Sequence, residues 1–301
     1  MTMVRPEANG RRSPLAWIVR LCGLAFLLFP GSRLDAQQSL DISVILRSDD
    51  QKPVVVKPSD LEVNVGGEPA AVERVVSLAD KHYRYALLND SSGVSKWPGG
   101  IKEQTAAADE LLRQVVSNSD EGDLVNFGDQ VYIDVRNESD PKKIEHKLTR
   151  KGKDVSAFRL ALLSAARWLK QQNVEGDHRK VIFLFSDGHD NISQISFEQL
   201  MGKLPDTGVP IFIFAPDAVQ AEMQGEQLGL IASISGGEVY FLPKGTSQPA
   251  IDSLRRDLAG SFLITTKVPA GSKSGPKSLS IKASATLPHL SIRAPSQIEI
   301  P

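Results

Sequence analysis

The sequence predicts an α/β fold: a doubly wound, mostly parallel sheet, flanked by β segments at both ends of the chain. Strand patterns alternate with amphipathic helical patterns through the middle of the chain, which is typical of parallel strands joined by right-handed crossovers. Two of those strand patterns, at 181–185 and 211–214, are continuous apolar runs, as expected of strands covered on both faces. The two flanks instead show the apolar–polar alternation of half-exposed strands.

The first 36 residues have the features of an export signal. Three arginines among the first twelve residues supply a positive start, and an apolar run follows over 15–29. Its uninterrupted part, 21–29, is too short to span a bilayer, and we expect cleavage after Ala36. The mature protein is then exported, either periplasmic or secreted, without a membrane span. The alternative is an uncleaved anchor built from the longer run.

Residues 37–81 form the predicted N-terminal β segment. Four apolar residues over 40–46 alternate with polar ones, and a second alternation over 61–65 runs into the hairpin signal Gly66-Gly67. The chain returns to strand patterns at its other end. We expect residues 263–301 to form a C-terminal β segment that packs with the N-terminal one.

The central α/β domain is expected over residues 82–262. Its apolar runs predict strands at 85–88, 181–185, 211–214 and 239–242, and its amphipathic runs predict helices at 101–116, 156–172, 226–234 and 248–258. A further pair of strands is indicated on either side of the turn residues Gly128-Asp129.

Composition excludes several functions. The chain has 301 residues, a net charge of −1 and one cysteine, which argues against nucleic-acid binding, an internal disulfide or a zinc knuckle. Residues 1–36 carry five arginines and two acids, so the remainder is cysteine-free with a charge of −4. The sequence contains no nucleophile elbow, phosphate-binding loop or dinucleotide fingerprint, so we expect no enzyme.

Three oxygen-rich segments fall where strands are expected to end or helices to begin, at 89–95, 154–157 and 186–191. Ligands of open α/β sheets bind at the carboxyl ends of the strands. Carboxylates and hydroxyls without clustered His or Cys are the ligands of a hard cation, and Mg²⁺ is favoured because it keeps waters. The sequence therefore predicts a magnesium site at this end of the sheet.

The same segments resemble the von Willebrand factor A (VWA) domain. Phe-Ser-Asp-Gly-His-Asp-Asn over 185–191 is similar to that family's apolar strand followed by Thr/Ser-Asp-Gly. Asp-Ser-Ser-Gly-Val over 90–94 resembles its Asp-x-Ser-x-Ser metal-ion-dependent adhesion motif, and Ser-Ala-Phe-Arg-Leu-Ala-Leu over 156–162 resembles its Thr-Ala-Leu helix start. With its β flanks, the whole chain is similar to a bacterial exported "VWA-related" family.

The resemblance implies a ligand set for Mg²⁺: Asp90 and Asp187 acting largely through water, Ser92 binding directly, and Ser156 in place of the family threonine. Val94 departs from the motif, because it stands where the family has a second serine and it cannot donate an oxygen. Water would take that coordination position, and the affinity of the site for Mg²⁺ would be lower than with a serine.

The function that the resemblance implies is adhesion or protein–protein interaction, in which a partner's acidic side chain binds through the cation. A metal-independent scaffold in the cell envelope is the alternative, and a cation-dependent hydrolase is a weaker one. Each segment also has a structural interpretation. Asp90 and Asp187 suit turns, Asp154 or Ser156 suits the N-cap of the helix, and a solvated loop accounts for His189 and Asp190.

Overall fold

The computed structural model describes residues 38–49, 54–93, 96–148, 152–172, 179–285, 287 and 289–301. Residues 1–36, Val94 and Ser95 lie outside the described residues, and the predictions made for them stay predictions. The strands are β1 (Ser39–Ser48), β2 (Leu61–Val65), β3 (Glu68–Ala70), β4 (Val72–Ser77), β5 (Tyr83–Asp90), β6 (Glu121–Phe127), β7 (Val131–Glu138), β8 (Arg179–Phe185), β9 (Ile211–Pro216), β10 (Glu238–Leu242), β11 (Ser261–Lys267), β12 (Gly275–Ala283), β13 (Leu290–Arg293) and β14 (Gln297–Ile300). The helices are α1 (Ile101–Val115), α2 (Pro141–Glu145), α3 (Phe158–Gln171), α4 (Phe197–Met201), α5 (Met223–Ser235) and α6 (Gln248–Ala259).

The central sheet has six strands in the order β10-β9-β8-β5-β6-β7. The first five are parallel, and β7 returns antiparallel to β6 as a hairpin. The predicted doubly wound, mostly parallel sheet is confirmed. All eight residues of β5 are buried, because the strand lies in the middle of the sheet with helices on both of its faces.

The apolar run of β8 supplies both faces of the sheet. Side chains of successive strand residues point to opposite faces. Accordingly, Phe183 and Phe185 pack with residues of α1 and α6, whereas Ile182 and Leu184 pack with residues of α3 and α5. The ring of Phe185 also stacks on that of Phe214 in β9, with centroids 4.6 Å apart.

The two ends of the chain combine into two antiparallel sheets of four strands each. Their orders are β13-β1-β11-β4 and β14-β12-β2-β3, so each sheet contains strands from both ends of the sequence. Apolar residues of both sheets share one core, which includes Val44 of β1, Val63 of β2, Ile264 of β11 and Leu279 of β12.

A buried acid connects α6 to these flanking strands. Asp257 is fully buried and forms ion pairs with Arg47 of β1 and, at 3.0 Å, with Arg293 of β13. The hydroxyl of Tyr240 in β10 donates to the same carboxylate at 2.5 Å. We name Asp257, Arg47, Arg293 and Tyr240 the Asp257 cluster.

Some elements differ from the sequence-based predictions. The helix expected from 156 begins at Phe158, and neither the short helices α2 and α4 nor β14 was predicted. On α1, Ala106 is exposed although it is apolar, whereas the polar residue Gln104 is buried. Among the described residues, no helix is both long and apolar enough to cross a membrane.

Candidate metal site

The carboxyl ends of β5 and β8 form one edge of the central sheet, which we call the carboxyl rim. The two strands are parallel neighbours, and Asn89 lies opposite Phe185 at their ends. The residues that follow therefore emerge side by side. Asp90 and Asp187 are both fully buried there. Two buried carboxylates need compensation, because removing a charge from water is costly.

Asp90 is held by two hydrogen bonds. The backbone N–H of Ser92 donates to its Oδ1 at 3.0 Å, and the hydroxyl of Ser186 donates to its Oδ2 at 2.8 Å. Burial raises the pKa of Asp90 to about 7, and the nearby Asp187 acts in the same direction, against the lowering effect of the serine contacts. Without a cation, Asp90 therefore retains its proton over most of the acidic range.

Asp187 accepts two backbone hydrogen bonds. The N–H of His189 donates to Oδ1 at 2.9 Å, and the N–H of Lys96 donates to Oδ2 at 2.7 Å. The bonds from Ser92 to Asp90 and from His189 to Asp187 each span two residues, which is the geometry of an Asx turn. Both aspartates therefore form the turns that the sequence suggested, and both are buried at the rim as well.

Besides the two carboxylates, the predicted site includes two serines, Ser92 and Ser156. Both side chains are buried, and neither hydroxyl has a hydrogen-bond partner among the residues that the structure describes. The Ser92 hydroxyl is close enough to lower the pKa of Asp90, but it does not meet hydrogen-bond geometry. Buried hydroxyls in folded proteins almost always have partners. Two buried hydroxyls of this kind, in the same set of loops as two buried carboxylates, have the chemistry that a hard cation prefers.

The three predicted segments contact one another. The N–H of Gly93 donates to Lys153 O at 3.1 Å, and the N–H of Asn191 donates to Ser156 O at 3.2 Å. The side chain of Asn191 accepts from the N–H of Ser156 at 2.8 Å. Gly93 lies close to Asp154: a Cβ at this position would be 1.9 Å from Asp154 Oδ1, so a larger residue would displace that exposed side chain.

The start of α3 has a different cap from the one predicted. Asp154 is exposed, and the hydroxyl of Ser156 accepts and donates no hydrogen bond within the described residues. Instead, Asp190 Oδ2 accepts from the N–H of Arg159 at 2.6 Å, while Oδ1 accepts from its guanidinium at 3.1 Å. Burial opposes ionisation, yet the hydrogen bonds from Arg159 and Ser193 hold the pKa of Asp190 below its usual value. The assignment of Asp190 to a solvated loop was wrong: its side chain is 5% exposed and caps a helix.

Gln104 of α1 is a site residue that the sequence analysis missed. Its Nε2 donates to Asn89 Oδ1 at 2.9 Å, to Asp90 O at 2.6 Å and to Phe185 O at 3.2 Å. It therefore connects the last residues of β5 and β8. The available sequence signal was weak: Gln104 lies three and four residues before Ala107 and Ala108 of the buried face, but within a run of polar residues over 102–105 that is typical of an exposed helix start.

We predict that Gln104→Leu destabilises the protein by about 2 kcal/mol, because it leaves buried acceptors at the ends of β5 and β8 without a donor. Urea unfolding would measure the loss. Gln114→Leu, on the same helix, is the matched control, because the Gln114 side chain bonds only to polar side chains near the surface. Equal effects of the two substitutions would contradict the role given to Gln104.

The sheet and its acidic carboxyl rim define an α/β domain with a candidate cation-binding end. Residues 85–189 match the family model of the von Willebrand factor type A domain, so the chain contains a VWA domain, and the prediction made from its motifs is confirmed. The family model spans β5 to the segment that follows β8, and it includes all four predicted site residues. Within the described residues, no group of three or more His, Cys, Asp or Glu side chains is placed to hold a metal.

Several solved structures are similar to this chain. Manganese-loaded TRAP protein from Plasmodium vivax is 14% identical, with a TM-score of 0.47 over 77% of this chain and 100% of that one. BatB from Bacteroides thetaiotaomicron is 12% identical, with a TM-score of 0.44 over 59% and 97%. An aerotolerance-related membrane protein from Bacteroides fragilis is 13% identical, with a TM-score of 0.45 over 58% and 98%. No curated protein matches the sequence.

Proposed function

We propose that this is an exported, non-enzymatic binding protein that recognises an acidic side chain of a partner protein through a divalent cation. The supporting observation is that two buried carboxylates, Asp90 and Asp187, occur in the same set of contacting loops as two buried hydroxyls, Ser92 and Ser156, which have no partner within the described part of the chain. Each carboxylate oxygen accepts one hydrogen bond within the chain and has a further lone pair.

Each residue has a distinct task in this proposal. Asp90 and Asp187 supply the negative charge, and the backbone N–H groups of Ser92, His189 and Lys96 fix the direction of their oxygens. The hydroxyls of Ser92 and Ser156 supply neutral oxygen ligands. When bound, Mg²⁺ supplies positive charge and an open position for a carboxylate oxygen of the partner. Val94 offers no oxygen, so water takes its place and the affinity is lower than with a serine there.

A metal-independent scaffold is the second candidate. It is favoured by the fact that all four carboxylate oxygens of Asp90 and Asp187 already accept hydrogen bonds within the chain. In that case the protein would bind partners through the same domain without a cation. Export is proposed for either function, on the charge and hydropathy pattern of residues 1–36.

Calorimetric titration with Mg²⁺ and with Mn²⁺ separates the two candidates. We expect one binding site in the unmodified protein and none in Asp187→Ala. Asp206→Ala is the matched control, because this exposed carboxylate pairs with Lys170 at the other end of α3 and its removal should leave the affinity unchanged. Val94→Ser should raise the affinity. Absence of binding at millimolar metal would overturn the cation-dependent function and leave the scaffold.

A further inference from the structure

A cavity of about 570 Å³ lies where the end of α6 meets the flanking strands. It is lined by the end of β1, the last turn of α6, one residue of β13 and the segment that follows β4. Its volume is within the range of small-molecule binding sites. Because α6 begins after the carboxyl end of β10 and is 12 residues long, the helix separates this cavity from the carboxyl ends of the sheet by about 18 Å.

Part of the cavity wall is apolar. Val54, Ala79 and Ala259 line it, and the two alanines are exposed to solvent. A ligand inside a concave site is removed from water on several sides, so an aliphatic group gains more there than on a flat surface. The wall is therefore suited to a small aliphatic chain.

Two arginines, Arg47 and Arg256, line the same cavity. Arg47 forms an ion pair with Asp257, yet its Nε is buried and has no hydrogen-bond partner among the described residues. The guanidinium of Arg256 donates to the hydroxyl of Ser253 at 2.8 Å, and within the described part of the chain it forms no ion pair. A guanidinium has several N–H donors, so both arginines retain donors for a ligand.

The positive charge around the cavity exceeds the negative charge that compensates it. In the Asp257 cluster two arginines share one acid, Glu238 pairs with Arg293 as well, and Arg256 adds a further positive charge. Burial lowers the pKa of Arg47, and the nearby Arg293 and Arg256 act in the same direction. Asp49 also lines the cavity, but its side chain is 72% exposed, so water screens its charge. A bound monoanion would relieve the repulsion between the arginines.

We propose that this cavity binds the anion of an aliphatic carboxylic acid, such as a fatty acid of medium chain length. The carboxylate accepts hydrogen bonds from the guanidinium groups of Arg47 and Arg256, whose planar donors match its two oxygens. The chain packs against Val54, Ala79 and Ala259, and its burial adds affinity that the carboxylate alone does not supply. This site does not depend on a cation at the carboxyl rim.

Calorimetric titration of the purified protein with decanoate, below its micelle-forming concentration, tests the site. We expect one binding site. Acetate, which lacks the chain, and decanol, which lacks the charge, should each bind at least about tenfold more weakly. Arg256→Gln should weaken decanoate binding about fivefold, because it removes one charged donor, and Ala259→Phe about tenfold, because its ring fills part of the cavity. Both positions are exposed on α6, so both variants should fold normally.

Arg255→Gln is the matched control, because Arg255 is exposed on the same helix but does not line the cavity. Its affinity for decanoate should equal that of the unmodified protein, and so should that of Asp187→Ala, since the carboxyl rim takes no part in this binding. Absence of decanoate binding, equal binding of decanoate and decanol, or normal binding to both Arg256→Gln and Ala259→Phe would overturn the proposal.

Discussion

Asp90→Asn is expected to stabilise the metal-free protein at pH 8. Burial raises the pKa of Asp90 to about 7 in the folded protein, whereas an aspartate in an unfolded chain titrates near about 4. Between these values the folded state binds more protons than the unfolded state, so the free energy of unfolding falls as the pH rises. A pKa shift of this size lowers the free energy of unfolding by up to about 4 kcal/mol once the pH exceeds the pKa of Asp90 in the folded protein. Asparagine carries no charge and avoids the loss.

Urea unfolding in the presence of a chelator, at pH 5 and pH 8, measures this effect. The unmodified protein should lose more stability than Asp90→Asn between the two pH values, and only the unmodified protein should regain stability on addition of Mg²⁺. Asp154→Asn is the control, because Asp154 is exposed beside Gly93 on the same rim. If Asp90→Asn were less stable than the unmodified protein at pH 8, the charge of ionised Asp90 would already be compensated by its neighbours in the folded protein.

Asp257→Asn is expected to destabilise the protein by about 3 kcal/mol, because it removes the buried counter-charge that Arg47 and Arg293 share, although Arg293 keeps its ion pair with Glu238. Asp257 is fully buried, whereas Arg47 and Arg293 are 37% and 29% exposed, so water compensates them in part. The substitution also weakens the hydrogen bond from Tyr240, and with it the connection between α6 and the flanking strands β1 and β13.

Thermal and urea unfolding of Asp257→Asn would measure this loss. Asp252→Asn is the matched control, because Asp252 lies on the same helix and its side chain bonds only to Gln248 near the surface. A loss below about 0.5 kcal/mol, the range of an exposed substitution, would show that the Asp257 cluster contributes no net stability.

The architecture of the central domain could be predicted because its pattern is local. The run Val181–Phe185 is apolar at every position, which indicates a strand covered on both faces, and Asp187 follows it after one residue, Ser186. Because strand ends of a parallel sheet share an edge, the sequence also predicted that Asp90 and Asp187 would lie on one rim. In the structure β5 and β8 pair in parallel, so the two aspartates lie at neighbouring strand ends.

The features that were missed depend on contacts distant in sequence. Asp190 caps a helix that begins 32 residues earlier, at Phe158, so no local capping pattern could reveal it. Gln104 connects two strand ends only because α1 packs across them. The departure at Val94 was visible in the sequence, but its effect on the affinity for the proposed cation depends on whether water takes the place of the missing serine oxygen.

An anomalous difference map from crystals grown with Mn²⁺ tests the central claim most directly. If these residues bind a cation, a peak is expected at the carboxyl rim, between the carboxylates of Asp90 and Asp187 and the hydroxyls of Ser92 and Ser156. The peak should be absent from crystals of Asp187→Ala grown in the same way. A map without a peak at this rim, at a manganese concentration that saturates exposed carboxylates elsewhere, would contradict the claim that these four residues hold a cation.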